Sequence, residues 1–217
     1  MARVVVIGGH GKVALHLERI LSGRGDDVTA LIRTPDHAAD VEAAGAHAVV
    51  ADVESLSADR IADVLRGHDA VVWSAGAGGG NPARTYAVDR DAAIRSMDAA
   101  AAAGVRRYVM VSYLGSRPDH GVPKDNSFFA YAEAKAAADE HLRGTELDWT
   151  VLGPGTLTLE SGTGHIEVAP TPAETSVTRE DVALVVATTL ADPGTVRRTI
   201  PFNNGATPIS EALRAGV

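Results

Sequence analysis

The chain has 217 residues, 45% of them hydrophobic, which is enough to build the core of one domain. Its net charge of −8, without a basic cluster, argues against a nucleic-acid surface, and the absence of cysteine excludes a disulfide framework and a cysteine nucleophile. No two of the eight histidines have the spacing of a helical metal site, so we expect no metal. No apolar run approaches the ~20 residues of a membrane helix, and the N-terminus does not resemble a cleaved leader. We therefore expect a cytoplasmic protein, monomeric or homodimeric, whose partner is a small molecule rather than a membrane.

The first predicted element is a strand that runs into a glycine-rich turn. Val4–Ile7 is a run of β-branched residues, typical of a strand buried on both faces of a parallel sheet. Apolar residues then recur at helical spacing as far as Leu21, so the turn opens a helix. The turn consists of Gly8, Gly9, His10, Gly11, Lys12, Val13 and Ala14.

This turn is where the pyrophosphate of a dinucleotide would lie. The backbone can approach phosphates only where side chains are absent, and the free N–H groups of a helix start attract the anion. The alternative is a tight turn that binds nothing. A P-loop is excluded because Val13, not Ser or Thr, follows Lys12, and Val6 stands where its first glycine would be.

A second apolar run, Val28–Ile32, predicts the next strand, and Arg33 follows it directly. In a nucleotide-binding sheet this position faces the adenosine ribose. An acid there would bind the 2′-hydroxyl of NAD, whereas a guanidinium suits a 2′-phosphate. Arg33 therefore favours NADP(H) over NAD(H), with a solvated surface arginine as the alternative.

A second glycine-rich loop follows a later strand. The pattern predicts a strand over His47–Ala51, a short helix over Ile61–Leu65 and a strand over Ala70–Trp73. The loop Ser74–Gly80 then leaves the carboxyl end of that strand, which is where ligands bind in open α/β sheets. It is not a nucleophile elbow, because Val72 stands where that motif needs glycine.

The remaining chain continues the alternation of strands and helices. Helices are predicted over Arg84–Ala103 with Gly104 as C-cap, over Phe128–Arg143 ending at Gly144, and over Arg179–Leu190 with Thr178 as N-cap. Strands are predicted over Tyr108–Val111, over Thr150–Leu152, broken by Gly153-Pro154-Gly155, and over Arg198–Phe202. Loops are predicted over Arg117–Asn126 and, as one long irregular segment, over Thr156–Val177.

This alternation predicts an α/β fold: a Rossmann-like, doubly wound parallel sheet with helices on both faces. We expect one domain over residues 1–217. Residues 153–217 are predicted to form a small appendage, the lid on the substrate side together with the final helix and strand.

Three residues are candidates for catalysis. Tyr131 and Lys135 stand four apart on one predicted helix and share a face. An ammonium near a phenol lowers the pKa of the phenol, so Tyr131 would exchange a proton with a substrate oxygen near neutral pH. Ser112, at the end of a strand, would hydrogen-bond the same oxygen. A chance spacing of Tyr and Lys is the alternative.

The order of these parts resembles the short-chain dehydrogenase/reductase superfamily, in particular its small atypical members related to sugar-nucleotide epimerases and biliverdin reductase B. The segments that carry the resemblance are Gly8–Ala14, Arg33, Asp52-Val53, Ser74-Ala75-Gly76, Ala102–Arg107, Val111-Ser112, Tyr131–Lys135, Gly153-Pro154-Gly155 and Thr178–Ala183. The resemblance implies a Rossmann fold that binds NADP(H). It implies cofactor contacts from the glycine turn, from Arg33, from Asp52 and Val53 near adenine, from Ser74, Ala75 and Gly76 near the ribose, from Lys135 at the nicotinamide ribose, and from Pro154 and Gly155.

The chain also departs from these relatives. His10 stands where they often have threonine, Ala14 takes the last small position of the turn, and Gly153 stands where they often have arginine. The hypothesis is an NAD(P)H-dependent oxidoreductase that transfers hydride to a small carbonyl, quinone or flavin-like substrate. A non-catalytic NADP(H)-binding redox sensor and a sugar-nucleotide epimerase or dehydratase are the alternatives.

Overall fold

The computed structural model describes residues 1–215 of the chain. Nine of its strands form one sheet, and two short strands form a second, small sheet. The strands are β1 (Arg3–Ile7), β2 (Asp27–Ile32), β3 (His47–Val50), β4 (Ala70–Trp73), β5 (Arg107–Val111), β6 (Asp148–Pro154), β7 (Thr156–Thr158), β8 (His165–Val168), β9 (Ser176–Thr178), β10 (Arg198–Asn204) and β11 (Thr207–Pro208).

Helices connect most of the strands of the large sheet. They are α1 (Lys12–Gly23), α2 (Ala38–Ala43), α3 (Ala58–Leu65), α4 (Pro82–Thr85), α5 (Ala93–Ala103), α6 (Phe129–Arg143), α7 (Arg179–Ala191) and α8 (Ile209–Ala215). Short 3₁₀ turns cover Pro35–His37 and Pro193–Thr195, and a π-helical segment, Tyr86–Ala92, joins α4 to α5. None of these helices is long and apolar enough to cross a membrane.

The large sheet confirms the predicted doubly wound fold. Its order is β3-β2-β1-β4-β5-β6-β10, with every neighbouring pair parallel, and β8 and β11 complete one edge in antiparallel pairing. The strand order reverses between β1 and β4, and in open α/β sheets the crevice at such a reversal is where ligands bind. The two glycine-rich loops follow these two strands.

Strand β1 is covered on both faces, as its run of β-branched residues predicts. Val4 and Val6 pack into the core beneath α1 and α7, whereas Val5 and Ile7 pack into the core on the opposite face, beneath α3 and α5. All four side chains are at most 1% exposed. Full burial of such a side chain is worth about 1.5–3 kcal/mol, so β1 anchors both layers of the domain.

The segment from Gly153 to Val177, which begins within β6, differs most from the prediction. Gly153 and Pro154 do not break the strand: β6 continues through both, and Pro154 pairs with Phe202 of β10. The predicted irregular segment Thr156–Val177 contains β7, β8 and most of β9. These strands have three or four residues, too few for a recognisable alternation, and β7 pairs with a strand about 20 residues away in the chain.

The helix ends were predicted more accurately than the helix interiors. Gly104 ends α5 in the left-handed conformation (φ 77°), and the Thr178 side chain accepts a hydrogen bond from the Asp181 amide, as N-cap of α7. The single helix expected over Arg84–Ala103 is wrong in detail, because π-helical hydrogen bonding occupies its first half. Helices α2 and α8 were not predicted, and residues 216 and 217 of the expected lid segment lie outside the described residues.

Candidate dinucleotide-binding cleft and active site

The first glycine turn brings the backbones of two loops into contact. Gly8 has φ +87°, and a Cβ at this position would lie 2.6 Å from the Cα of Ala75 in the second glycine-rich loop. The amides of Gly8 and Gly9 both donate to the carbonyl of Leu31, at 3.2 and 2.9 Å, which ties the turn to the end of β2. Only glycine accommodates both the positive φ and the close approach.

The start of α1 leaves backbone donors without partners inside the helix. Its first intrahelical hydrogen bond runs from the Leu15 amide to the Gly11 carbonyl, so the amides of Lys12, Val13 and Ala14 precede it. The N-cap residue, Gly11, has no side chain to accept from them. Three amides without an intrahelical partner, at the positive end of a helix dipole, have the chemistry of a phosphate site. The neighbouring residues Gly8 and Gly11 have no side chain that would keep a phosphate away. The turn therefore fits a pyrophosphate.

A cavity of about 270 Å³ opens beside this turn, at the ends of β1, β2 and β3. Gly8 and Gly11 line one side of it, and Ala51 and Val53 line another. Arg33, an exposed residue, is among the residues that line it, and its contact with the adenosine ribose stays a prediction. Asp52 instead uses its carboxylate to accept a hydrogen bond from the Glu54 amide, at 3.1 Å.

Two further cavities continue the cleft across the ends of β4, β5 and β6. The nearer one, which we call the middle cavity, has a volume of about 450 Å³ and shares Gly11 and Ser74–Ala77 with the first cavity. It reaches Ser112 and Tyr131, which also line the third cavity, of about 440 Å³. The third cavity includes Pro154 and Gly155 among its lining residues. Most of the predicted site residues thus lie along one cleft, with Ser112 and Tyr131 at the junction of its last two parts, whereas Gly9, Asp52 and Lys135 line none of these three cavities.

Three aromatic rings form one wall of the third cavity. The ring centroid of Tyr113 lies 5.3 Å from that of Phe128 and 5.5 Å from that of Tyr131, and the Phe128 and Tyr131 centroids are 5.2 Å apart. Phe128 is 42% exposed despite being fully apolar. A cluster of this kind offers a flat, apolar surface directly beside the junction.

Lys135 is buried behind this junction, where its ammonium is held by β5. Its Nζ donates to the Val111 carbonyl at 3.0 Å and contacts the Met110 sulfur at 3.1 Å. Burial lowers the pKa of Lys135, against the opposing effect of the carboxylates of Asp139 and Asp89.

The expected lowering of the Tyr131 pKa is wrong for this structure. Burial, and then the negative charges of Asp89 and Asp139, raise the pKa of Tyr131 well above its ordinary value. The Lys135 ammonium does not reverse this, because it is bonded to the Val111 carbonyl rather than to the phenol. At neutral pH Tyr131 is therefore a phenol that carries its proton.

The hydroxyl of Ser112 is engaged by a buried acid. Ser112 Oγ and Ser116 Oγ both donate to Oδ2 of Asp139, which is fully buried in α6, while Oδ1 of Asp139 has no hydrogen-bond partner among residues 1–215. Since a hydroxyl has one proton, Ser112 in this arrangement can accept a hydrogen bond but cannot donate a second one.

A sequence model of an NAD(P)H-binding family matches residues 8–193, which run from the glycine turn past the end of α7. The chain belongs to this family. The match, together with the relatives below, confirms the resemblance to atypical short-chain dehydrogenase/reductases. A nicotinamide cofactor is the ligand that this family membership supports.

This chain is similar over nearly its whole length to proteins of bacteria and yeast. It is 35% identical to the uncharacterized sugar epimerase YhfK of Bacillus subtilis, covering 98% of this chain and 99% of that one, and 34% identical to the UPF0659 protein YMR090W of Saccharomyces cerevisiae, covering 98% of each. Among solved structures, a Bacillus halodurans protein described as an NAD-dependent epimerase/dehydratase has a TM-score of 0.90 at 33% identity, covering 99% of this chain and 100% of that one. The oxidoreductase ylbE of Lactococcus lactis has a TM-score of 0.86 at 29% identity, covering 98% and 95%.

Two of the cleft residues that sequence reasoning missed are Asp89 and Arg179. Asp89, buried in the π-helical segment, accepts a hydrogen bond from the Ala77 amide at 3.1 Å and so holds the second glycine-rich loop. Arg179, the first residue of α7, lines the middle cavity and donates to the carbonyls of Leu157 and Thr158, at 3.0 and 2.8 Å. Neither stands in a motif of its own. The only signal was the segment Thr178–Ala183, which carried part of the resemblance without a role for Arg179.

Proposed function

We propose that this protein is an NADP(H)-dependent oxidoreductase that reduces a small, flat acceptor, such as a quinone, a flavin-like ring or an aromatic carbonyl compound. The observation that carries the proposal is the position of Tyr131 and Ser112. Both line the cavity that begins at the glycine turn, and both line the cavity walled by aromatic rings. A substrate in the aromatic cavity would therefore lie beside these two side chains and next to the cofactor side of the cleft.

The residues of the cleft have distinct roles in this proposal. The amides of Lys12, Val13 and Ala14 and the bare surface of Gly8 and Gly11 hold the pyrophosphate. Ser74, Ala75 and Gly76 adjoin the ribose, and Arg33 binds the 2′-phosphate that distinguishes NADP(H) from NAD(H). When bound, NADPH supplies the hydride from C4 of its nicotinamide.

Tyr131 then supplies the proton. The Tyr131 phenol carries its proton at neutral pH, so it donates a hydrogen bond to the acceptor oxygen and gives up its proton as negative charge develops there. The raised pKa opposes this loss, so the proton moves only to an oxygen that becomes more basic than the phenolate. Ser112 cannot act as a second donor while it donates to Asp139, so it positions the acceptor by contact or, for a flavin-like ring that carries an N–H group, by accepting a hydrogen bond from that group. Lys135, buried beside the carboxylates of Asp89 and Asp139, provides the positive charge that partly offsets the phenolate.

The test is the reductase activity of Tyr131→Phe. With NADPH and a panel of quinones, flavins and aromatic carbonyl compounds, we expect the variant to lose about 10²-fold in kcat, since general acid catalysis contributes about 10²–10⁴-fold, while the Kd for NADPH stays within twofold of the wild-type value. Tyr113→Phe is the matched control: it removes a phenol from the same aromatic wall. Wild-type turnover that survives in Tyr131→Phe would refute the proton-donor role.

A second candidate is an epimerase or dehydratase acting on a sugar nucleotide, because the B. subtilis and B. halodurans relatives carry such descriptions. Against it stands the size of the substrate side, a cavity of about 440 Å³ with an aromatic rather than polar wall. Tight binding of a nucleoside diphosphate sugar by the NADP⁺-loaded protein would favour this candidate. Tight NADP(H) binding without turnover of any substrate would favour the redox-sensor alternative.

A further inference from the structure

Two histidines from different parts of the chain stack at the adenosine end of the cleft. His10, in the glycine turn, and His37, in the 3₁₀ turn after β2, have ring centroids 3.7 Å apart and ring planes within 9° of parallel. His10 Nε2 lies 2.8 Å from Oδ2 of Asp40, and because a carboxylate only accepts, His10 is the donor. The hydrogen bond to Asp40 holds the His10 ring in one plane, and the His37 ring packs parallel to it.

The other ring, His37, has one nitrogen occupied and one free. Its Nδ1 lies 3.2 Å from the hydroxyl of Thr34, whereas its Nε2 has no hydrogen-bond partner among residues 1–215. In the tautomer in which the Thr34 hydroxyl donates to Nδ1, the His37 proton lies on Nε2. That tautomer presents an N–H donor to the surroundings of the ring.

The surroundings of His37 suit an anion. His10, Arg33 and His37 all line the 270 Å³ cavity next to the glycine turn. Arg33 makes no ion pair with a carboxylate within the described part of the chain, and the carboxylate of Asp40 is taken up by His10. A chain with a net charge of −8 thus places His10, Arg33 and His37 at the end of the cleft where the ribose of adenosine would lie. Arg84 lines the same cavity, but it pairs with Glu54 and with the Ala77 carbonyl.

We propose that His37 is a ligand of the 2′-phosphate of NADP(H) and that His10 acts as a positioning residue through the stack. This inference rests on the proposed NADP(H) function and assigns part of the cofactor preference to residues other than Arg33. An exposed arginine alone binds a charged group weakly, because solvent competes with it, whereas several pre-oriented donors around one phosphate bind it more strongly. The ligand class is a phosphate monoester on the ribose.

The test compares adenosine 2′,5′-diphosphate with adenosine 5′-diphosphate, which differ only in the 2′-phosphate, by calorimetric titration of the full chain. His37→Phe keeps an aromatic ring to stack on His10 but removes the N–H donor. We expect the preference of the wild-type protein for the 2′,5′-compound to fall about tenfold in this variant, since a hydrogen bond to a charged group is worth about that factor or more, with 5′-ADP affinity unchanged within twofold. His37→Gln, which restores a side-chain N–H donor, should recover part of the preference.

His47→Phe, at an exposed histidine on β3, is the control and should leave both affinities unchanged. A preference that stays within twofold of wild type in His37→Phe would overturn the proposal, and so would a wild-type protein that binds both compounds equally. A wild-type protein that binds NADP(H), NAD(H) and both adenosine compounds undetectably would refute the dinucleotide function itself. That outcome differs from the first two, in which 5′-ADP still binds.

Discussion

A buried carboxylic acid beneath the glycine turn provides a test of the structure that does not depend on the substrate. Glu18, on the inner face of α1, is fully buried, and neither of its carboxyl oxygens has a hydrogen-bond partner within the described part of the chain. Its Oε1 would lie 3.1 Å from a Cβ placed on Gly9, so it lies directly behind the turn. Burial raises the pKa of Glu18 from 4.5 to about 8, against the opposing charge of Arg19.

The pKa shift converts into a stability difference of known sign. Between pH 4.5 and about 8 the unfolded chain ionises Glu18 while the folded chain keeps it protonated, so Glu18 destabilises the fold increasingly as pH rises through this window. At 1.36 kcal/mol for each pH unit, this effect amounts to about 3 kcal/mol at pH 7 and levels off above the folded pKa. Glu18→Gln removes the titration and retains the shape, so the variant should gain stability over the wild-type protein mainly at neutral and alkaline pH.

Urea unfolding of both proteins at pH 5 and pH 8.5 measures this effect. We expect the difference in the free energy of unfolding between Glu18→Gln and wild type to grow by about 4 kcal/mol between the two pH values, which corresponds to a midpoint shift of more than about 1 M urea. Any fixed cost of burying the amide cancels in this comparison. Glu42→Gln, at an exposed position of α2, should show no such growth. A pH-independent difference for Glu18→Gln would refute the reasoning.

Two other predictions concern the cleft directly. Gly8→Ala should destabilise the protein by more than about 1 kcal/mol and weaken NADP⁺ binding at least tenfold, because the new methyl group would meet the Ala75 backbone and φ at this position is +87°. Thermal melts measure the loss of stability, and titration measures the loss of affinity. An unchanged affinity for NADP⁺ would refute the tight approach of the two loops. Arg179 lines the middle cavity together with Lys12, and its hydrogen-bond partners are carbonyls rather than carboxylates, so we infer that it supports the pyrophosphate that NADP⁺ and NAD⁺ share. Arg179→Ala should therefore weaken the binding of NADP⁺ and NAD⁺ about equally, by about tenfold in a titration, and a loss confined to NADP⁺ would contradict this role.

Local patterns predicted the parts of this protein whose structure is decided locally. The apolar run Val4–Ile7 predicted a strand buried on both faces, and the glycines after it predicted a turn of bare backbone. The close approach of Ala75 to Gly8 explains why that turn needs glycine. The caps at Gly104 and Thr178 could be recognised because each depends on one residue and its immediate neighbours. Alternation of such elements was sufficient to determine the fold class.

Only the tertiary structure decided the environment of the functional groups. The spacing of Tyr131 and Lys135 predicted a lowered tyrosine pKa, but Lys135 bonds to a carbonyl of β5, and burial controls Tyr131. The stack of His10 on His37 likewise joins residues whose proximity depends on how the glycine turn meets the end of β2. A pKa, a hydrogen-bond partner or a ring contact depends on every element packed around the group, and those elements come from distant parts of the chain. The amino-acid order therefore determined which chemical groups are available and which fold carries them, while packing decided their protonation and their partners.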